Sequence, residues 1–206
     1  MSKGYYGLSS NLWNELDDKT KSLYHLVRPM QSSNYAVSIE LHHLERQLER
    51  YDSEAKKDGG ELKLNPDFQR GHVWSLDKQI SYIENLIRGV APINIKFNCA
   101  KFIDYHAKVT GMNGFDMVCV DGLQRMTAVL SFMKGDFKIF DNTHDVNSLA
   151  GTPFAIRRYS FLFEIYDIRD YGDLIQFYID LNTGGVVQSN EEIDRVKKLQ
   201  EEYRNK

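Results

Sequence analysis

Hydrophobic positions along this chain switch between two spacings, and each spacing predicts a different element. Leu76, Ile80, Ile83 and Ile87 recur three to four residues apart, the mark of one helical face. Ser75 stands before them as an N-cap and Gly89 after them as a stop. Residues 91–97 alternate apolar and polar at period two, which predicts a strand. Further strands are expected at Val109, at 117–120 beyond a turn at Gly111 to Gly114, and at 159–168, where aromatic and aliphatic residues alternate.

The remaining elements follow from the same two periods. Leu12, Leu16, Leu23 and Leu26 suggest a short helix near the N-terminus, within an added segment 1–35. From Ser38 the spacing of Leu41, Leu44 and Leu48 predicts a helix, and the polar run 52–60 predicts a loop. Leu62 and Leu64 alternate with charges as a short strand ended by Asn65-Pro66. Leu123 to Met133 is apolar-periodic, and Leu174, Tyr178 and Leu181 share a helical face that stops at Asn182-Thr183-Gly184-Gly185. Ser189 and Glu192 form a capping box for a last charged helix with Ile193, Val196 and Leu199 on its apolar face, most simply a solvated amphipathic helix. Helical and strand patterns together give a small sheet accompanied by helices.

Composition narrows the picture only in part. With 206 residues and 42% hydrophobic content the chain can bury one sizeable core. Its net charge of −3 gives no general attraction to nucleic acid or to an anionic membrane, so any DNA contact needs a local basic patch. Cys99 and Cys119 have no Cys or His partners at metal-ligand spacing and read as buried, reduced thiols. His42 and His43 are adjacent on an expected helix, so they point apart, and no structural zinc is expected. The absence of a long apolar stretch and of a signal-peptide core leads us to expect a cytoplasmic protein without a membrane partner.

Candidate chemistry gathers at element ends. Asp121-Gly122-Leu123-Gln124-Arg125 joins a strand to a helix through a glycine turn, where unpaired N–H groups and the positive end of the helix dipole can hold an anion. Gln69, Arg70 and Trp74 form a second polar cluster, and Asn182, Thr183, Gly184 and Gly185 a third. If the three converge, Arg70 and Arg125 clamp a phosphate, the Gly184-Gly185 backbone lines the opposite wall, and Asp121 holds Mg²⁺ or orients a water. The plainer reading makes Asp121 a helix cap, Arg70 and Arg125 partners of surface acids, and Phe68 and Trp74 core aromatics.

In order along the chain, N-P-D-F-Q-R-G-H-V-W (65–74), R-G-V-A-P-I (88–93), V-D-G-L-Q-R (120–125) and L-N-T-G-G (181–185) resemble the ParB/sulfiredoxin-like N-terminal domain of GmrSD-type, modification-dependent restriction enzymes. That resemblance spans roughly residues 36–200. It implies an α/β (α+β) fold, a compact domain over residues 36–206 with a small mixed sheet flanked by helices, in which D-G-x-Q-R binds or hydrolyses a nucleoside triphosphate, with Asp121, Gly122, Gln124 and Arg125 at the phosphates and Gln69 and Arg70 beside them. Leu123 stands where the family pattern has Gln. The sequence ends at Lys206 with no HNH-like histidine motif, so nuclease function is expected from a protein partner.

Three functions follow as expectations. The first is a metal-assisted NTP phosphohydrolase serving DNA restriction, counter-defence or DNA modification, since phosphoryl transfer needs positioning and charge neutralisation more than a nucleophile. The second is a DNA- or protein-interaction module with weak or absent catalysis. A minimal nuclease built on Asp121 ranks last, because no compact acidic motif supports two-metal chemistry.

Overall fold

The computed structural model describes residues 8, 10–27, 29–69, 74–183 and 190–204. Five strands, β1 (Tyr35–Glu40), β2 (Leu62–Lys63), β3 (Asn94–Asn98), β4 (Met117–Asp121) and β5 (Ser160–Tyr166), form one mixed sheet in the order β1-β5-β3-β4-β2. β1 runs antiparallel to β5, β5 parallel to β3, β3 antiparallel to β4, and β4 parallel to β2.

Strand alternation divides the side chains between two apolar layers. Ile95 and Phe97 of β3, Met117 and Cys119 of β4, and Phe161, Phe163 and Ile165 of β5 face one layer. Helices α3 (Leu44–Lys57), α4 (Leu76–Ile87) and α5 (Leu123–Lys134) cover it with Leu48, Ile83, Val129 and Phe132 among others. On the opposite face Val118, Val120 and Tyr166 meet Phe68 and the helices α6 (Tyr171–Thr183) and α7 (Asn190–Arg204) through Leu174, Tyr178 and Val196. The chain is thus a mixed α+β fold, as expected, with helices on both faces of the sheet. Among the described residues, no helix is long and apolar enough to cross a membrane.

α4 begins and ends where its sequence places it. Ser75 Oγ accepts a hydrogen bond from Lys78 N at 3.4 Å, and Gly89 follows with φ +77°. Other boundaries differ from expectation, each for a visible reason. Residues 38–40 belong to a strand rather than a helix, because β1 pairs with β5 from Tyr35↔Ile165 to Glu40↔Ser160. A short 3₁₀ turn, Leu41–His43, then leads into α3. α3 continues to Lys57 through the stretch expected to be a loop. Tyr51 and Ala55 extend its buried stripe, and the i,i+4 pairs Arg50–Glu54 and Lys56–Asp52 lie on its outer side at 2.8 and 2.6 Å.

The N-terminal stretch forms two helices, α1 (Ser10–Glu15) and α2 (Asp18–Val27), where one was expected. Asp17 makes the break: its Oδ1 accepts from Thr20 N at 2.6 Å, the geometry of an N-cap. Val109 is not in a strand; its neighbour Thr110 makes only an isolated bridge to Asp170. In α7, Val196 is buried and Leu199 packs beside it, whereas Ser189 and the side chains of Glu192 and Ile193 lie outside the described residues.

Candidate functional site

β4 passes into α5 through a single residue. Asp121 is the last strand residue, paired with Lys96 of β3, and Gly122 turns the chain with φ +108° so that Leu123 opens the helix. A side chain at position 122 would not fit: a Cβ there would stand 2.5 Å from Ile95 Cδ1, and Ile95 is fully buried. Glycine is therefore required both by the left-handed backbone and by the close approach to β3. Asp121 does not cap the helix, contrary to the plainer sequence reading. The strand ladder holds it one residue too early, and Gly122 occupies the cap position with no side chain to offer.

Arg125, one turn into α5, folds back over this junction. Its Nη1 donates to Asn94 O at 2.5 Å and to Asp121 Oδ2 at 3.2 Å. The side chains of Arg125 and Asp121 are 19% and 33% exposed, so the pair sits at a rim reachable from solvent. Among the described residues, Nη2 and Nε of Arg125 and Oδ1 of Asp121 have no hydrogen-bond partner. Leu123, at the position where the resembled pattern has Gln, is half-buried and packs against the core.

The two glutamines hold neighbouring loops in place. Gln69 Nε2 donates to the carbonyls of Cys119 and Val120 at 2.7 and 3.0 Å, which ties the 65–69 loop to β4. Gln124 Oε1 accepts from Trp74 N at 3.1 Å, anchoring the segment before α4 to the first turn of α5. Trp74 in turn packs on Tyr82, with ring centroids 5.4 Å apart, and Tyr82 donates its hydroxyl to Pro92 O at 2.9 Å. Burial drives the Tyr82 phenol far above its usual range; Arg125 pulls it down and Asp121 pushes it up, but both are smaller influences. Gln69, Trp74, Asp121, Gln124 and Arg125 are thus linked around one strand–helix junction.

Other predicted members lie elsewhere or outside the described residues. Asn182 is near the end of α6, where its Nδ2 donates to Tyr178 O at 2.7 Å, and Thr183 is the last residue of that helix. Tyr178 packs on Phe68 with ring centroids 5.0 Å apart, so α6 and the Gln69 loop are neighbours through their aromatic residues. Arg70, Gly184 and Gly185 lie outside the described residues. A cavity of about 300 Å³ opens between α3 and the 99–117 segment, lined by Tyr51, Cys99, Lys101, Phe115 and Met117 among others; none of the described candidate residues borders it.

Sequence reasoning passed over two neighbours of the junction. Lys96, the cross-strand partner of Asp121, pairs with Glu164 at 2.5 Å and donates to the Tyr166 hydroxyl at 3.2 Å. Burial alone would lower the Lys96 pKa, but the bonds to Glu164 and Tyr166 outweigh it and the net shift is upward. The available signal was a charge at one period-two position in each of two apolar strands, residues 94–98 and 160–166. Arg195 is the second: its guanidinium donates to the carbonyls of Asp67 and Phe68, both at 3.1 Å, so the charged terminal helix clasps the Gln69 loop rather than facing only water.

Comparison of the chain with protein-family models, with curated proteins and with solved structures gives no match.

Proposed function

We infer that the β4–α5 junction binds the phosphates of a nucleoside triphosphate and, with Mg²⁺, hydrolyses it, in a cytoplasmic protein serving DNA restriction, counter-defence or DNA modification. The supporting observation is the α5 N-terminus opening at Gly122 without a side-chain cap, flanked by the partly exposed Arg125 and Asp121. Such an end presents N–H donors and a positive dipole to an anion, and a guanidinium with unused donors adds charge beside it. The D-G-x-Q-R resemblance to the GmrSD-type domain points to the same residues.

Mg²⁺ suits this donor set, because it commonly takes one or two protein carboxylates and completes its shell with water and phosphate oxygens. Asp121 supplies one carboxylate, whose Oδ1 has no partner among the described residues while Oδ2 meets Arg125. The bound ion would neutralise phosphate charge. Arg125 orients the phosphates from the Asn94 side, and Gln69 and Gln124 act as positioning residues by fixing β4 and the first turn of α5.

The second reading, a DNA- or protein-interaction module with weak catalysis, is favoured by one observation. Asp121 and Arg125 already neutralise each other at 3.2 Å, so each must partly release the other to engage a ligand. Asp121→Asn separates the two readings. Under the hydrolase reading it abolishes Mg²⁺-dependent phosphate release while nucleotide binding, measured by calorimetry, persists. Equal turnover in both proteins rejects the metal role of Asp121. No turnover by the unsubstituted protein with any common nucleotide, alone or with DNA, selects the interaction module.

A further inference from the structure

At the far edge of the sheet, between β1 and α3, His42 and His43 lie side by side, contrary to the expectation that they point apart. Consecutive residues of an α-helix diverge, but here the imidazole centroids are only 3.8 Å apart and the rings are tilted by 41°. Glu40, the last residue of β1, joins them, with His42 Nδ1 at 3.4 Å from Glu40 Oε2. One ligand atom from each of the three residues lies within 4.8 Å of the other two. We propose that Glu40, His42 and His43 form a surface site for a transition-metal divalent cation of the Zn²⁺, Cu²⁺ or Ni²⁺ class.

The backbone beneath the cluster is anchored. Leu41 and Leu44, which bracket the histidines, are both fully buried, and Leu41 N donates to Tyr159 O at 2.9 Å. Glu40 is held in the ladder opposite Ser160. The three side chains therefore project from a turn pinned on both sides, and only their rotamers have to adjust. Ligands about 2.0–2.2 Å from a shared ion stand about 3.3–3.6 Å from one another in tetrahedral geometry. His42 Nδ1 and Glu40 Oε2 already stand at 3.4 Å, and ligand atoms within 4.8 Å of one another need close by little more than about 1 Å.

The donor set selects the class of ion. Two imidazole nitrogens and one carboxylate oxygen suit Zn²⁺, Cu²⁺ and Ni²⁺, whereas Mg²⁺ and Ca²⁺ prefer oxygen alone. All three residues are exposed, which leaves the remaining coordination positions to water or to an incoming donor. The site is also separate from the β4–α5 junction: β1 is an edge strand, and β5 and β3 lie between it and β4. It does not depend on the nucleotide reading.

The test is titration of the full chain with ZnCl₂ by calorimetry, and with Cu²⁺ followed by electron paramagnetic resonance. The unsubstituted protein should bind a single Zn²⁺ saturably, with a raised melting temperature, and its Cu²⁺ spectrum should show coupling to two imidazole nitrogens. The double substitution His42→Ala/His43→Ala should lose both signals, and Glu40→Gln should weaken Zn²⁺ binding by tenfold or more. His106→Ala should leave them intact, and Mg²⁺ in large excess should not displace Zn²⁺. All three ligands are exposed, so the metal-free variants should melt like the parent; if the double variant does not, Glu40→Gln and the nitrogen coupling decide. Absence of saturable binding, binding unchanged by the histidine substitutions, or nitrogen coupling from fewer than two imidazoles would overturn the proposal.

Discussion

Gly122→Ala is the most demanding perturbation of the candidate site, because two separate penalties act on one added carbon. The backbone at φ +108° lies where an L side chain is strained, and placing an ordinary residue in a left-handed conformation costs about 1–2 kcal/mol. The new Cβ would also stand 2.5 Å from Ile95 Cδ1 and 3.2 Å from Ile95 Cα. Ile95 is fully buried between its neighbours, so it cannot swing away, and overpacking of this kind costs about 1–3 kcal/mol. Together these predict a loss of about 2–5 kcal/mol. Gly135→Ala is the matched control: its φ is +82°, but nothing lies within 4 Å of the Cβ position, so only the first penalty applies. Both substitutions restrict the unfolded chain equally, and that contribution cancels in their difference. Urea unfolding of the three proteins, with unchanged m-values, measures the result. A Gly122→Ala protein no less stable than Gly135→Ala would refute the close approach of the β4–α5 turn to β3.

Three further outcomes are expected. Arg125→Ala should weaken nucleotide binding by about 10–150-fold, the equivalent of about 1.5–3 kcal/mol for a charge-assisted contact, with Arg125→Lys recovering only part; calorimetry on folded variants reads this directly. Gln69→Ala removes both donors to the Cys119 and Val120 carbonyls and should cost about 1–3 kcal/mol in a denaturant melt, while leaving the cooperativity of unfolding intact. Burial pushes the Cys119 thiol from 9.0 up to about 12 and Cys99 up to about 11, so the folded protein keeps protons that the unfolded chain releases above about pH 9. Stability from these thiols is therefore complete below about pH 9 and falls as pH rises toward about 12; Cys119→Ala should flatten that decline in urea melts at increasing pH.

What could be read from the sequence was set by how local each cause is. α4 was legible because Ser75, its four-residue apolar stripe and Gly89 all lie within one short window. β5 was legible because its alternation is strong enough to need no partner. β1 was not, since Val37 and Ile39 are only partly buried and its ladder to β5 joins segments far apart in the chain. The site shows the same division. The glycine turn after β4 could be foreseen from Asp121-Gly122, but no spacing reveals that Gln69 serves the β4 carbonyls or that Gln124 holds Trp74. The facing of His42 and His43 arises where the chain passes from β1 into α3, with His43 as the non-helical cap residue at φ −102° and ψ 1°, and no apolar spacing reports it.

The strand order has a consequence for how the protein is made. β5 lies between β1 and β3, yet it is the last strand along the chain. During synthesis β1 and β3 therefore leave the ribosome with no neighbour on the side that β5 will occupy. At ~5–20 residues per second the interval between β1 and β5 is on the order of ten seconds. For that time Tyr35–Glu40 is an unpaired strand beside the amphipathic helix α3, open to pairing with other nascent copies. Yield in the cell should then depend on translation speed and chaperone supply more steeply than the stability of the finished fold alone would suggest.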